Sequence, residues 1–171
     1  MNANEFHIIT GSPEGTRTLG RAFGRLLCGG EILGLSGDLG SGKTCFVHGL
    51  AEGLEVGGNS WVRSPTFTLI NEYEGRLPMV HVDLFRVAPG PEMEDLHLEE
   101  YFVSGDVCVI EWFEHLNVAG LTEFVGVTFR YVDEDCRELH FVPHGRRYEK
   151  MLTELKGTNM DLTLMTRKDA L

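Results

Sequence analysis

The sequence predicts a single α/β domain with a mixed parallel and antiparallel sheet flanked by helices. Short apolar runs of strand length alternate with stretches of helical periodicity. A glycine-rich loop joins one such strand to one such helix, and a pair of alternating runs lies near the C-terminus. At 171 residues the chain is long enough for one sizeable core. Residues 1–156 read as that domain, without an internal boundary, and 157–171 as a polar tail expected to be flexible.

Each element has its own signal. "EFHIIT" reads as a short strand. "GSPEGTRTLGRAFGRLLCGG" reads as a helix, with Leu19, Phe23, Leu26 and Leu27 at helical spacing and Gly29-Gly30 as its stop. "EILGLSG" is a buried strand, and "KTCFVHGLAEGL" a helix whose core face carries Phe46, Val47, Leu50 and Leu54. "EVGGNSWVRSP" reads as a mobile connection, and "TFTLINEYEG" alternates as a strand up to a turn near Glu74-Gly75. "LPMVHVDLF" and "DVCVIEW" are apolar strands on either side of an acidic amphipathic helix, "PEMEDLHLEEYF". "EFVGVTFRYVDEDCRELHFVP" alternates on both sides of "DED", the pattern of an antiparallel hairpin, and "RRYEKMLTELK" is a last helix.

Composition excludes several classes of function. A net charge of −11, with no long basic run, sets the chain against gripping nucleic-acid phosphate by itself. No apolar stretch approaches bilayer-spanning length, and "MNANEFHIIT" lacks a basic region leading into an apolar one, so a cytoplasmic protein is expected. Cys28, Cys45, Cys108 and Cys136 are scattered without metal-ligand spacing and read as reduced thiols.

The loop "GDLGSGKT" matches the P-loop pattern at each fixed position: Gly37, Gly42, Lys43 and Thr44. Glycines let the backbone curl around an anion so that successive N–H groups point inward, and the following helix adds its positive dipole end. Asp38, Leu39, Gly40, Ser41, Gly42, Lys43, Thr44 and Cys45 are therefore the expected nucleotide-binding residues, with Lys43 on the outer phosphates and the Thr44 hydroxyl on Mg²⁺. The plain alternative is an incidental strand-to-helix turn; the strand before the loop and the helix after it argue against that.

A P-loop also needs carboxylates to hold metal and orient the attacking group. Asp83 ends the apolar strand "MVHVD" and Glu111 ends "VCVIE", so strands parallel to "EILGLS" deliver both acids to the edge where the loop lies. "RSPTFT" places hydroxyls at Thr66 and Thr68 where a loop can reach a γ-phosphate and Mg²⁺, although the residues alone favour a turn opening a strand. His81 shares the alternation face of Asp83, but its chemistry alone favours a core histidine; Trp112 alone reads as packing, and the acidic helix as a solvated face.

In their order and spacing, "GDLGSGKT", "RSPTFTLINEYEG", "HVDLFR" and "VIEW" resemble the TsaE family (also called YjeE), and "GTRTLG" resembles its N-terminal helix. These are small bacterial P-loop ATPases of the pathway that makes N6-threonylcarbamoyladenosine at position 37 of tRNAs. The resemblance implies a P-loop NTPase-like fold, ATP and Mg²⁺ as cofactors, and the family's lysine and threonine at Lys43 and Thr44. It implies the switch-like threonine at Thr66, the two acids at Asp83 and Glu111, a functional Trp112, and Thr16 near the nucleotide base. Catalysis then falls to Asp83, Glu111, Lys43 and Thr66, and the metal to Thr44, Glu111 and Asp83. Ser41, Cys45, Phe85 and Phe113 depart from the usual Ala, Thr, Tyr and Pro without removing a phosphate or metal ligand.

The resemblance further implies a TsaD–TsaB pair as partner, with tRNA met only through that complex and no membrane. ATP hydrolysis would reset the complex. Two other functions fit a P-loop chain of this size. A small-molecule kinase would use an arginine-rich lid, which the sequence does not display although Arg63 and Arg86 lie near the motifs. A nucleotide-gated adaptor would bind ATP and barely hydrolyse it.

Overall fold

The computed structural model describes residues 5–57, 62–88, 90–116 and 120–157. The elements run β1 (Phe6–Thr10), α1 (Pro13–Leu26), β2 (Ile32–Ser36), α2 (Lys43–Gly53), β3 (Ile70–Tyr73), β4 (Met79–Asp83), α3 (Pro91–Glu94), α4 (Leu98–Val103), β5 (Val107–Glu111), β6 (Phe124–Tyr131), β7 (Arg137–His144) and α5 (Arg146–Gly157). A short 3-10 turn spans Phe113–His115. The strands form one seven-stranded sheet in the order β1-β7-β6-β2-β5-β4-β3. Its centre, β6-β2-β5-β4, is parallel, while β3 and the β7-β1 pair run antiparallel at the edges. This is the mixed sheet expected from the alternation patterns. No helix among the described residues is long and apolar enough to cross a membrane.

Strand alternation sorts the core into two layers. On β5, Val107 and Val109 pack with α1, α2 and α5, while Cys108 and Ile110 face the opposite cluster with Val80, Val82, Met93 and Leu98. Complete burial of β4 and β5 explains why both read as continuous apolar runs.

Helix α1 is capped by Ser12, whose Oγ accepts from the Gly15 amide at 3.0 Å, with Pro13 at its first position. It lies unusually close to α2. A Cβ on Gly20 would sit 2.2 Å from the Phe46 carbonyl oxygen, and one on Gly49 only 1.9 Å from the Arg17 carbonyl oxygen. The sequence carries this contact as glycines four apart on both helices, Gly20/Gly24 and Gly49/Gly53. Gly49→Ala gains helix propensity of about 1 kcal/mol but drives a methyl into rigid backbone, so the steric loss wins. Chemical denaturation of that variant is expected to show a net loss of roughly 2 kcal/mol or more.

Two predicted elements differ from the structure. The strand expected from Thr66 begins at Ile70, and residues 66–69 form turns instead. Leu69 has φ +67° and its amide reaches back to the Pro65 carbonyl at 2.6 Å, which breaks the extended course. The acidic helix is two short helices, because His97 adopts φ +48° between Glu94 and Leu98. The connection read as mobile falls partly on residues 58–61; of the tail read as flexible from 157, Gly157 ends α5 and residues 158–171, like 58–61, lie outside the described residues.

Candidate phosphate and metal site

Strand β2 delivers the chain to a loop that curls sharply before α2 begins. Gly37, Gly40 and Gly42 have φ of +132°, +76° and +107°, conformations that side-chain-bearing residues resist. Lys43 opens α2 and is only 4% exposed. Its Nζ donates to the carbonyls of Gly37 at 2.6 Å and Asp38 at 2.9 Å, and lies 4.0 Å from the centroid of the Trp112 ring. Burial lowers the Lys43 pKa below the usual lysine value, while Glu111, Glu114, Asp83 and Asp38 pull it upward. Among the described residues no carboxylate is bonded to this cation.

The two strand-ending acids are neighbours. Asp83 and Glu111 are register partners across β4 and β5, each only 2% exposed, at the carboxyl edge beside the loop. Thr44 Oγ1 lies 2.9 and 3.0 Å from the two oxygens of Glu111, and His81 Nε2 lies 2.9 Å from Oε1. Asp83 Oδ2 accepts from Ser64 Oγ at 2.5 Å and Thr66 Oγ1 at 2.7 Å, and its Oδ1 accepts from the Phe85 amide at 2.9 Å. The Ser64 and Thr66 hydroxyls are themselves 2.8 Å apart. These bonds, with the Asp83 amide donating to the Leu69 carbonyl at 3.0 Å, hold the turn at residues 64–69 across the site.

The residues enclose a cavity of about 330 Å³, within the range of small-molecule sites. Lys43, Thr44, Thr66, Asp83, Glu111 and Trp112 line it, together with Leu39, Gly40, Gly42 and Cys45. Other predicted residues stand off from it. Asp38 is exposed and contributes its backbone carbonyl to Lys43. Ser41 is buried behind the loop, its Oγ without a hydrogen-bond partner among the described residues. Thr16 is also buried behind the loop, its hydroxyl 2.7 Å from Thr10 Oγ1. Cys45, by contrast a lining residue, has its Sγ 3.1 Å from the Pro13 carbonyl, and burial raises its thiol pKa against the pull of Arg17.

Three contributors escaped the sequence reading. Ser64 and Phe85 line the cavity, the latter with its ring 4.9 Å from that of Trp112. His81, read as a core histidine, is fully buried but is bonded to Glu111. The shared alternation face of His81 and Asp83 was the one available signal for it. Trp112 has φ +60°, which turns its ring back over Lys43 instead of continuing the strand.

The oxygen donors of Thr44, Glu111 and Asp83 form a hard set that suits Mg²⁺, which takes few protein oxygens and keeps waters and phosphate oxygens for the rest. Beneath the site, on α2, His48 is half-buried with Nε2 unpartnered. Burial lowers its pKa below the ordinary value of 6.5, helped by Arg17 and His81 and opposed by the Val62 backbone and Glu111. The unfolded chain thus takes up this proton at a higher pH than the folded one, and stability falls as pH drops below the unfolded value. Denaturation curves between about pH 7 and 5 should show a shallower loss for His48→Gln.

Fold and site together define the class: an α/β domain with a glycine-rich loop between its central strand β2 and helix α2, faced by two buried carboxylates. Comparisons with known proteins narrow this further. The family model "Threonylcarbamoyl adenosine biosynthesis protein TsaE" matches residues 10–139. Among curated relatives, the TsaE proteins of Bacillus subtilis and Treponema pallidum are 40% and 39% identical to this chain, over 85% and 77% of it and 90% and 96% of theirs. The TsaE of Streptomyces coelicolor is 45% identical over 63% of this chain and 72% of its own. The crystal structure of B. subtilis YdiB superposes with a TM-score of 0.73 at 34% identity, covering 90% of this chain and 95% of that one. The chain belongs to the TsaE family of threonylcarbamoyl adenosine biosynthesis proteins.

Proposed function

We propose that this chain is the ATPase component of the tRNA threonylcarbamoyladenosine machinery, hydrolysing the β–γ bond of ATP in the cytoplasm to reset a TsaD–TsaB complex. The observation that carries the reading is the convergence of Lys43, Thr44, Thr66, Asp83 and Glu111 on one cavity, in a chain of this family. The loop amides and the N-terminal end of α2 receive the phosphates. Lys43 exchanges the carbonyls of Gly37 and Asp38 for phosphate oxygens. Thr44 and Glu111, already bonded to each other, hold the metal, with Asp83 beside them. Mg²⁺, when bound, neutralises charge on the phosphate oxygens as the bond breaks. Asp83 or Glu111 orients the attacking water.

Thr66 supplies the sensing step. Its hydroxyl is committed to Asp83, and the γ-phosphate of ATP offers it a second acceptor that ADP lacks. Ordering the residue 64–69 turn around that phosphate costs conformational entropy, which a docked protein partner offsets. The net charge of −11 agrees with docking on proteins and meeting tRNA only through them.

Steady-state hydrolysis by the chain alone is expected to be slow and to rise well above background as TsaD–TsaB is added. Complex formation should favour a non-hydrolysable ATP analogue over ADP. Full turnover without the partner would leave a plain ATPase. Stoichiometric phosphate transfer to an added small-molecule acceptor would make the chain a kinase. Nucleotide-dependent docking without hydrolysis would make it an adaptor.

A further inference from the structure

A second group of ligating side chains lies at the far edge of the sheet from the phosphate site. His7 on β1 and His140 on β7 are register partners, on the sheet face opposite Ile8 and Leu139 of the main core. Their rings stack at 3.9 Å between centroids and 12° between planes. A carboxylate meets each ring: Glu5 Oε2 lies 3.1 Å from His140 Nε2, and Glu138 Oε1 lies 3.3 Å from His7 Nδ1. One donor atom each from Glu5, His7 and His140 falls within 4.8 Å of the others, the one such cluster of potential metal ligands found among the described residues.

From this arrangement we propose that Glu5, His7 and His140 form a binding site for a borderline divalent transition-metal ion such as Ni²⁺, Co²⁺ or Zn²⁺, which clamps the edge strand β1 to β7. Neutral imidazole nitrogens with a carboxylate are the donor set those ions prefer, whereas Mg²⁺ prefers oxygen alone. Closing the site takes a defined movement. Donors of a tetrahedral ion bound at about 2.0–2.1 Å stand roughly 3.4 Å apart, and two rings stacked face to face cannot both aim a nitrogen in plane at one ion. His7 therefore leaves the stack by turning about its side-chain bonds. Its side chain is 45% exposed and has room to do so, while His140 and Glu5, at 19% and 23%, form the fixed half. Glu138, freed from His7, completes the set or orients it from the second layer.

Among the described residues, two nearby cations leave the donor atoms of the cluster free. Lys156 Nζ bonds the Glu5 backbone carbonyl at 3.1 Å, and Arg130 reaches Glu138 only at 3.9 Å.

The test is isothermal titration of Ni²⁺ into the full reduced chain without nucleotide, alongside thermal denaturation. The background variants Cys28→Ser and Glu111→Gln remove competing thiol and phosphate-site ligands. One ion per chain is expected, with the melting temperature raised by roughly 5–10 °C at a hundredfold excess over the dissociation constant. His7→Gln and His140→Asn should each weaken binding at least tenfold, the double variant should abolish it, and Glu5→Gln should weaken it about tenfold. Metal-free melting temperatures of these outer-face variants report whether the fold persists. Unchanged Ni²⁺ affinity in the folded double variant, or no saturable binding by the parent chain at submillimolar ion, overturns the site.

Discussion

Lys43→Met is expected to leave the fold intact and to lower ATP turnover roughly a hundredfold or more, the loss typical when a transition-state charge donor is removed. The two halves of that expectation have separate causes. Lys43 is almost fully buried, and burial depresses its pKa, so its charge opposes folding of the free protein. Its ammonium is bonded to two backbone carbonyls of the loop and rests against the face of Trp112, and among the described residues no carboxylate is bonded to it. Methionine keeps most of the aliphatic volume and removes a charge whose burial outweighs the attraction of the surrounding carboxylates. The melting temperature of the free variant should therefore stay near that of the parent or rise, while stabilisation by ATP falls. Turnover and nucleotide-induced stabilisation both at parental levels would show that the loop is an ordinary strand-to-helix turn.

How much of this was legible in the sequence follows from how local each feature is. The glycine loop is contiguous, so its curl and the placement of Lys43 and Thr44 are encoded within eight residues. Asp83 and Glu111 are each written at the end of an apolar run, and a parallel sheet carries both to one edge without further information. Ser64 and Phe85 were not legible as site residues, because their roles depend on where the backbone turns. Leu69 at φ +67° and the capture of Ser64 and Thr66 by Asp83 convert a stretch with strand alternation into turns that cross the site. A single backbone angle at His97 likewise divides the acidic helix. The close fit of α1 on α2 was written in the glycine spacing, but that spacing acquires meaning only once the two helices are known to face each other.

The second large effect concerns Glu111. Its carboxylate links Thr44 on α2 to His81 on β4, and it is the group through which α2 and the sheet share one site. Glu111→Gln keeps the shape but loses the charge, and its amide can accept from one neighbour while donating to the other. Hydrolysis is expected to fall roughly a hundredfold to a thousandfold. ATP affinity should fall much less, because orienting water and metal matters most in the transition state. Asp83→Asn has a different signature. An Asn oxygen can keep the Phe85 amide while its NH₂ faces the Ser64 and Thr66 hydroxyls, so the turn persists, but its tie to the site no longer carries charge. Turnover should again fall, and the preference of the partner complex for the ATP state should weaken with it. Thr44→Ala separates metal holding from water positioning. If Thr44 and Glu111 hold the same ion, Thr44→Ala raises the Mg²⁺ requirement, and adding Glu111→Gln costs less than the two single effects combined. Fully additive losses, with an unchanged Mg²⁺ dependence in Thr44→Ala, would show that the bond between these residues is structural and that the metal is held elsewhere.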